Sequence, residues 1–111
     1  MSVTSEQSGD VVVVNAGPVR LIYPSLSEFS TAVKGEIAKG SRKIVINLAG
    51  VEYLDSAAIG CLMDLYRQAT AAGATMKLAG VQRRVETMLT LTGANQFMEI
   101  HADAAAAVKS F

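Results

Sequence analysis

The stretch "KIVINLAGVEYLDSAAIGCLMDLYRQATAAG", residues 43–73, decides how this chain folds. Its opening "KIVINL" is too continuously apolar for a strand with one wet face and suits a central strand covered on both sides. After "VEYLDS" the period changes. With Ala58 set at zero and about 100° per residue, Ile59, Leu62, Leu65, Tyr66, Ala69 and Ala72 gather into a buried stripe. Ser56, Gly60, Met63 and Arg67 fall on the other side. A serine preceded by an aspartate thus stands where a buried strand hands over to a helix, on the helix's solvent face.

Outward from this stretch the chain alternates strands and helices. "VVVVNAG" at 11–17 is a β-branched run ending in a glycine turn, and "VRLIY" at 19–23 follows closely enough to form a hairpin with it. Pro18 weakens one side of that pairing and places it near a sheet edge. Ser25 with Glu28 reads as a capping box; Leu26, Phe29, Val33 and Ile37 form the buried stripe of the helix it opens, and Gly40 stops that helix. Beyond Gly73 come a strand "TMKLAG", a helix from Val81 to Thr92 closed by Gly93, a short strand "FMEI" and the alanine-rich "ADAAAAVKSF". The pattern predicts an α/β fold: a mostly parallel central sheet with a β-hairpin start and helices packed on the sheet through right-handed crossovers. Residues 1–9 read as a flexible N-terminus and 10–111 as one domain.

Composition removes several functions. At 111 residues and 50% hydrophobic the chain can bury one core. Ten basic and ten acidic residues cancel, and the longest basic run is "RR" at 83–84, so the field that holds a nucleic-acid backbone is missing. "MSVTSEQSGD" has no basic start and no apolar signal core, and no apolar run approaches the roughly 20 residues a membrane span needs. The expected location is cytoplasmic, without membrane insertion. Cys61 is the single cysteine and His101 the single histidine, so no disulfide, metal or cofactor is expected.

For Ser56 the plainest role is a helix cap, since Asp and Ser are common there. A phosphate at Ser56 would be favoured by the positive end of the helix and opposed by the charge of Asp55. Cys61, near the edge of the stripe, reads as a small core residue, and His101 as a surface side chain.

Residues 44–100 resemble the STAS domain, named for sulphate transporters and anti-sigma factor antagonists, in the strand, the "V-x-x-L-D-S" at 51–56, the helix, the glycine before the next strand and the "V-x-x-M-L-x-L-T-G" at 85–93. The resemblance over 11–40 is in element order. It implies a STAS-like fold and, for the antagonist type, a phosphorylation-controlled protein-binding module. In such antagonists the serine after this aspartate, here Ser56, is phosphorylated by a serine kinase that is also the anti-sigma factor. The unphosphorylated form binds the kinase and frees the sigma factor; phosphorylation releases the antagonist until a serine phosphatase restores it. A phosphate brings about −1.5 to −2 charges beside Asp55, so repulsion and desolvation both oppose docking. The partner-binding residues implied are Asp55, Ser56, Gly60, Met63 and Arg67, with Gly60 permitting close approach and Met63 offering an adaptable apolar contact.

The chain departs from the family pattern at two places. "GPVR" puts Pro18 and Arg20 where antagonists usually carry an acidic Gly-Glu-Leu-Asp stretch that helps engage the kinase, and Ala57 and Ala58 replace the small hydroxyl residue and glycine that often follow the serine. Residue 57 therefore cannot be a second phosphorylation site. Two other readings compete. One is a STAS subunit of a stressosome-like complex or a lipid-transport complex. The other is an enzyme using Ser56, His101 and an aspartate, which lacks a G-x-S-x-G elbow and any evident base near the serine. The free protein is expected to be a monomer.

Overall fold

The structure, a computed structural model, describes residues 3–17 and 26–111 with their side chains and the backbone of 19–21. Ser25, and with it the expected capping box, lies outside the described residues, as does Pro18.

A hairpin does open the fold, but from different segments. β1 (Val3–Ser8) runs antiparallel to β2 (Val11–Ala16), with Ser8 opposite Val11. Gly9 supplies the positive φ, 62°, that the two-residue turn needs. The flexible start expected over residues 1–9 is thus, from Val3 to Ser8, an edge strand. Its side chains are exposed after a half-buried Val3, so no apolar alternation announces it; backbone pairing holds it, with Val3 against the main core and a 3.3 Å bond from the Asn15 amide to Glu6 as additions.

The expected partner segment goes elsewhere. Gly17 takes a φ of 115° and passes so close to the next loop that a Cβ there would lie 2.7 Å from the Gly50 carbonyl oxygen. That turn carries the chain off the main sheet into β3 (Val19–Leu21), which pairs parallel with β5 (Val51–Leu54) in a separate two-stranded sheet.

The main sheet has the order β1-β2-β4-β6-β7, parallel except for the opening hairpin. β4 (Lys43–Asn47) lies at its centre, between β2 and β6 (Thr75–Ala79). Both faces of β4 are covered, as its apolar run demands. Ile44 and Ile46 join one core with Phe29 and Val33 of α1 (Leu26–Ala38), Leu62 and Leu65 of α2 (Ser56–Ala71), and Val85 and Leu89 of α3 (Arg83–Leu91). Val45 faces the other way, into a smaller cluster with Val11, Val13, Ala79 and Ala107 of α4 (Ala104–Lys109).

Boundaries shift where turns intervene. α3 begins at Arg83 rather than Val81, because Gly80 turns the chain with φ 71° and the Gln82 amide reaches back to the Ala49 carbonyl at 3.1 Å instead of capping the helix. The strand expected at 97–100 shrinks to β7 (Ile100–His101). Gly93, at φ 79°, leads instead into a 3-10 turn, Ala94–Gln96, after which Phe97 is exposed and Met98 drops into the core. Ala72 is exposed, not part of the stripe: it is the C-cap of α2, and Ala74 is the residue buried beyond it.

Candidate functional site

The handover at residues 54–60 is built from the sheet outward. Loop 48–50 leaves β4 and is pinned from several sides. Leu48 N–H donates to the Ala79 carbonyl at 2.9 Å, and Val51 N–H to the Leu48 carbonyl at 2.9 Å. The Asn47 side chain accepts from Ala49 N–H at 3.1 Å while donating to Asn15 at 2.8 Å. Together with the Gln82 bond to Ala49, these polar braces fix where β5 starts and hence where α2 begins. Nothing in the periodicity reveals them; two asparagines at strand ends are the only trace.

β5 ends at buried Leu54, and Asp55 turns the chain into α2 with an extended backbone, φ −90° and ψ 176°. Its carboxylate oxygen Oδ1 accepts from Ala58 N–H at 2.7 Å, and its carbonyl accepts from Ile59 N–H at 3.1 Å. Asp55 is therefore the N-cap. Ser56 is the first helical residue, exposed, and among the described residues its hydroxyl makes no hydrogen bond. The first N–H groups of α2 have no intrahelical acceptor, which gives the surface around Ser56 a partial positive charge beside the Asp55 carboxylate.

Of the residues expected on the same face, Gly60 and Arg67 are exposed. Arg67 lies 3.9 Å from Asp64, a loose surface pair. Met63 is only half exposed and packs in part against the main core, so it presents an edge rather than a free side chain. A Cβ added at Gly60 would meet nothing within 4 Å, which leaves an open notch one turn along from Ser56. Arg20 sits on β3 in register with Tyr53, two residues before Asp55.

The other singled-out groups lie apart. Cys61 is half-buried against the main core, and burial pushes its thiol above the ordinary value. His101 is not a fully exposed surface residue: it bonds Glu99 at 3.0 Å and pairs in register with Ala79, a residue of the smaller cluster under α4. Ser56 begins a helix on the opposite face, so a serine–histidine pair is not assembled. Among the described residues no group of three or more His, Cys, Asp or Glu is placed to hold a metal, and no helix is long and apolar enough to cross a membrane.

An alternating chain with this sheet order and an Asp-capped, serine-first helix after β5 has the arrangement expected of a STAS-type domain, and the STAS domain family model matches residues 2–107. The chain belongs to the STAS domain family. A curated protein of Thermotoga neapolitana named as an anti-sigma factor antagonist homologue is 29% identical over 63 residues, 57% of this chain; the match spans 56% of that relative's length. A Thermotoga maritima crystal structure named as an anti-sigma factor antagonist superposes with a TM-score of 0.89 at 24% identity, covering 97% of this chain and 92% of that one. The Bacillus cell fate determinant SpoIIAA, in its phosphorylated form, superposes with a TM-score of 0.74 at 16% identity, covering 98% of each chain.

Proposed function

We propose that this protein is a phosphorylation-controlled binding module of the anti-sigma factor antagonist type. It docks on an anti-sigma factor that is also a serine kinase, through Asp55, Ser56, Gly60, Met63 and Arg67. Phosphorylation of Ser56 ends the complex, and a phosphatase renews it.

The observation that carries this reading is the division of labour at the helix start. Asp55 takes the capping bond, so the Ser56 hydroxyl is spared that duty and stands exposed. A kinase needs such a hydroxyl within reach. Names borne by relatives support the same role, since both Thermotoga proteins carry that of an anti-sigma factor antagonist and SpoIIAA is described in a phosphorylated form. A phosphate on Ser56 would add about −1.5 to −2 charges beside Asp55 in a surface that must be desolvated on docking. A loss of about 3 kcal/mol weakens binding by roughly a hundredfold, enough for a switch.

The test compares Ser56→Ala, Ser56→Asp and the unmodified protein against a serine kinase of the anti-sigma factor type that binds the unmodified protein. Ser56→Ala is expected to bind with near-native affinity, to accept no phosphate from ATP and kinase, and to stay engaged. Ser56→Asp is expected to bind far more weakly while melting at the same temperature. Binding of Ser56→Asp as tight as that of the unmodified protein removes the proposal's basis.

A further inference from the structure

Lys77 occupies a central position of β6 where the run Met76 to Ala79 otherwise buries apolar side chains, and it is itself only 5% exposed. A buried lysine persists when its ammonium is matched by partners. Here nearly all of those partners come from the segment after the last helix. Nζ donates to Ser110 Oγ at 2.8 Å and to the Ser110 carbonyl at 3.2 Å, and lies 4.4 Å from the centroid of the Phe111 ring. The remaining partner is Glu99 Oε1 at 3.3 Å, which His101 Nε2 also meets at 3.0 Å. Ser110 closes the knot by donating from Oγ to the Ala107 carbonyl at 2.6 Å.

Besides this knot, the helix is held by the Asp103 cap and by Ala104, Val108 and Phe111, which pack only partly buried against the smaller cluster. α4 has six residues, and only Ala107 is fully buried. Isolated helices shorter than about 12–15 residues are marginal in water, so α4 is helical only while docked. Beside it runs an open groove of about 400 Å³ between α4 and the hairpin, lined by Val13, Ala104, Ala105 and Val108 among others. The sheet face is thus incompletely filled.

We infer that α4 is a reversible strap latched by Lys77: it opens as a unit, without unfolding the sheet, when the grip of Lys77 on Ser110 and Phe111 is lost. The chemistry of the latch suits two states. Closed, the ammonium is satisfied by the strap and Glu99. Open, it is hydrated, and Glu99 stays beside it. A methionine or leucine at 77 would be stranded in water by opening, so lysine lowers the cost of the open state. Opening uncovers Val11, Val13, Val45 and Ala79.

Amide hydrogen exchange with a graded denaturant series tests this on the whole chain, with acylation of Lys77 by a water-soluble succinimidyl ester as a second probe. The amides of Ala107 and Ser110 are expected to exchange through an opening with little denaturant dependence, and those of β4 through global unfolding. Combining Ser110→Ala with Phe111→Ala is expected to speed exchange in α4 and labelling of Lys77 together, by about tenfold or more, since bonds to a charged group are lost. The global unfolding midpoint is expected to stay in place; if the double variant folds poorly, Ser110→Ala alone serves. Exchange of α4 with the denaturant dependence of β4 would show one cooperative unit and no strap. Fast exchange that neither variant alters would show end fraying and no latch. Either result overturns the inference.

Discussion

Asp55 and Ser56, adjacent in sequence, carry different duties, and the difference is measurable. Because Asp55 caps α2 through a 2.7 Å bond to Ala58 N–H, Asp55→Ala should cost about 0.5–2 kcal/mol, and Asp55→Asn, which keeps an acceptor, much less. Ser56→Ala should leave stability nearly unchanged. Urea melts of the three variants check the order; a loss at Ser56→Ala equal to that at Asp55→Ala would return the serine to a capping role. At Gly17 the backbone decides. Its φ of 115° and the 2.7 Å approach of a would-be Cβ to the Gly50 oxygen predict that Gly17→Ala destabilises by more than about 1 kcal/mol, read in the same melts.

At the scale of the helix, α2 has an inner and an outer face with opposite responses. Leu62 and Leu65 are fully buried between helix and sheet, so truncating either to alanine should cost about 2–5 kcal/mol. Exposed Arg67, whose pairing with Asp64 is long, should tolerate alanine with a change near zero. Gly60 separates stability from binding. Alanine fits the open space there and favours helix by about 0.5–1 kcal/mol, so Gly60→Ala should raise the melting temperature. If the notch receives a partner, the same change should weaken docking; calorimetric titration beside thermal melts tells the two apart, and a variant both more stable and equally tight would take Gly60 out of the interface.

Across the whole molecule, two exposed carboxyl groups tie segments distant in sequence. Lys43, through a 2.6 Å bond, holds Asp10 in the hairpin turn below its ordinary range, and hydrogen bonds from His101 and then Lys77 do the same for Glu99. A carboxyl depressed in the folded state adds stability above its unfolded pKa, and that share is lost as pH falls through the folded value. Stability should therefore decline on the acid side of the ordinary carboxylate range. Asp10→Asn and Glu99→Gln should each flatten part of that decline in melts between neutral and acid pH; an unchanged slope in both would refute it. The large exposed apolar side chains among the described residues are Leu91 and Phe97, too few for a broad sticky face, and light scattering at micromolar concentration is expected to find a monomer.

The sequence by itself determined the alternation of elements, the central strand and the buried face of α2, because apolar spacing of period 3.6 or an unbroken apolar run survives without any knowledge of neighbours. It also located the Asp55–Ser56 pair at a helix start. Only the tertiary structure decided which strand the hairpin uses, since β1 is exposed beyond Val3 and held mainly by backbone bonds that its side chains do not encode. The capping duty likewise went to Asp55 rather than Ser56, as the extended Asp55 backbone and its bond from Ala58 N–H show. Lys77 lies unremarked inside the expected strand "TMKLAG", and becomes an anchor only once the chain folds Ser110 and Phe111 back onto it. Periodicity reports which face is buried; contacts between polar groups far apart in the chain have no period, so folding alone reveals them.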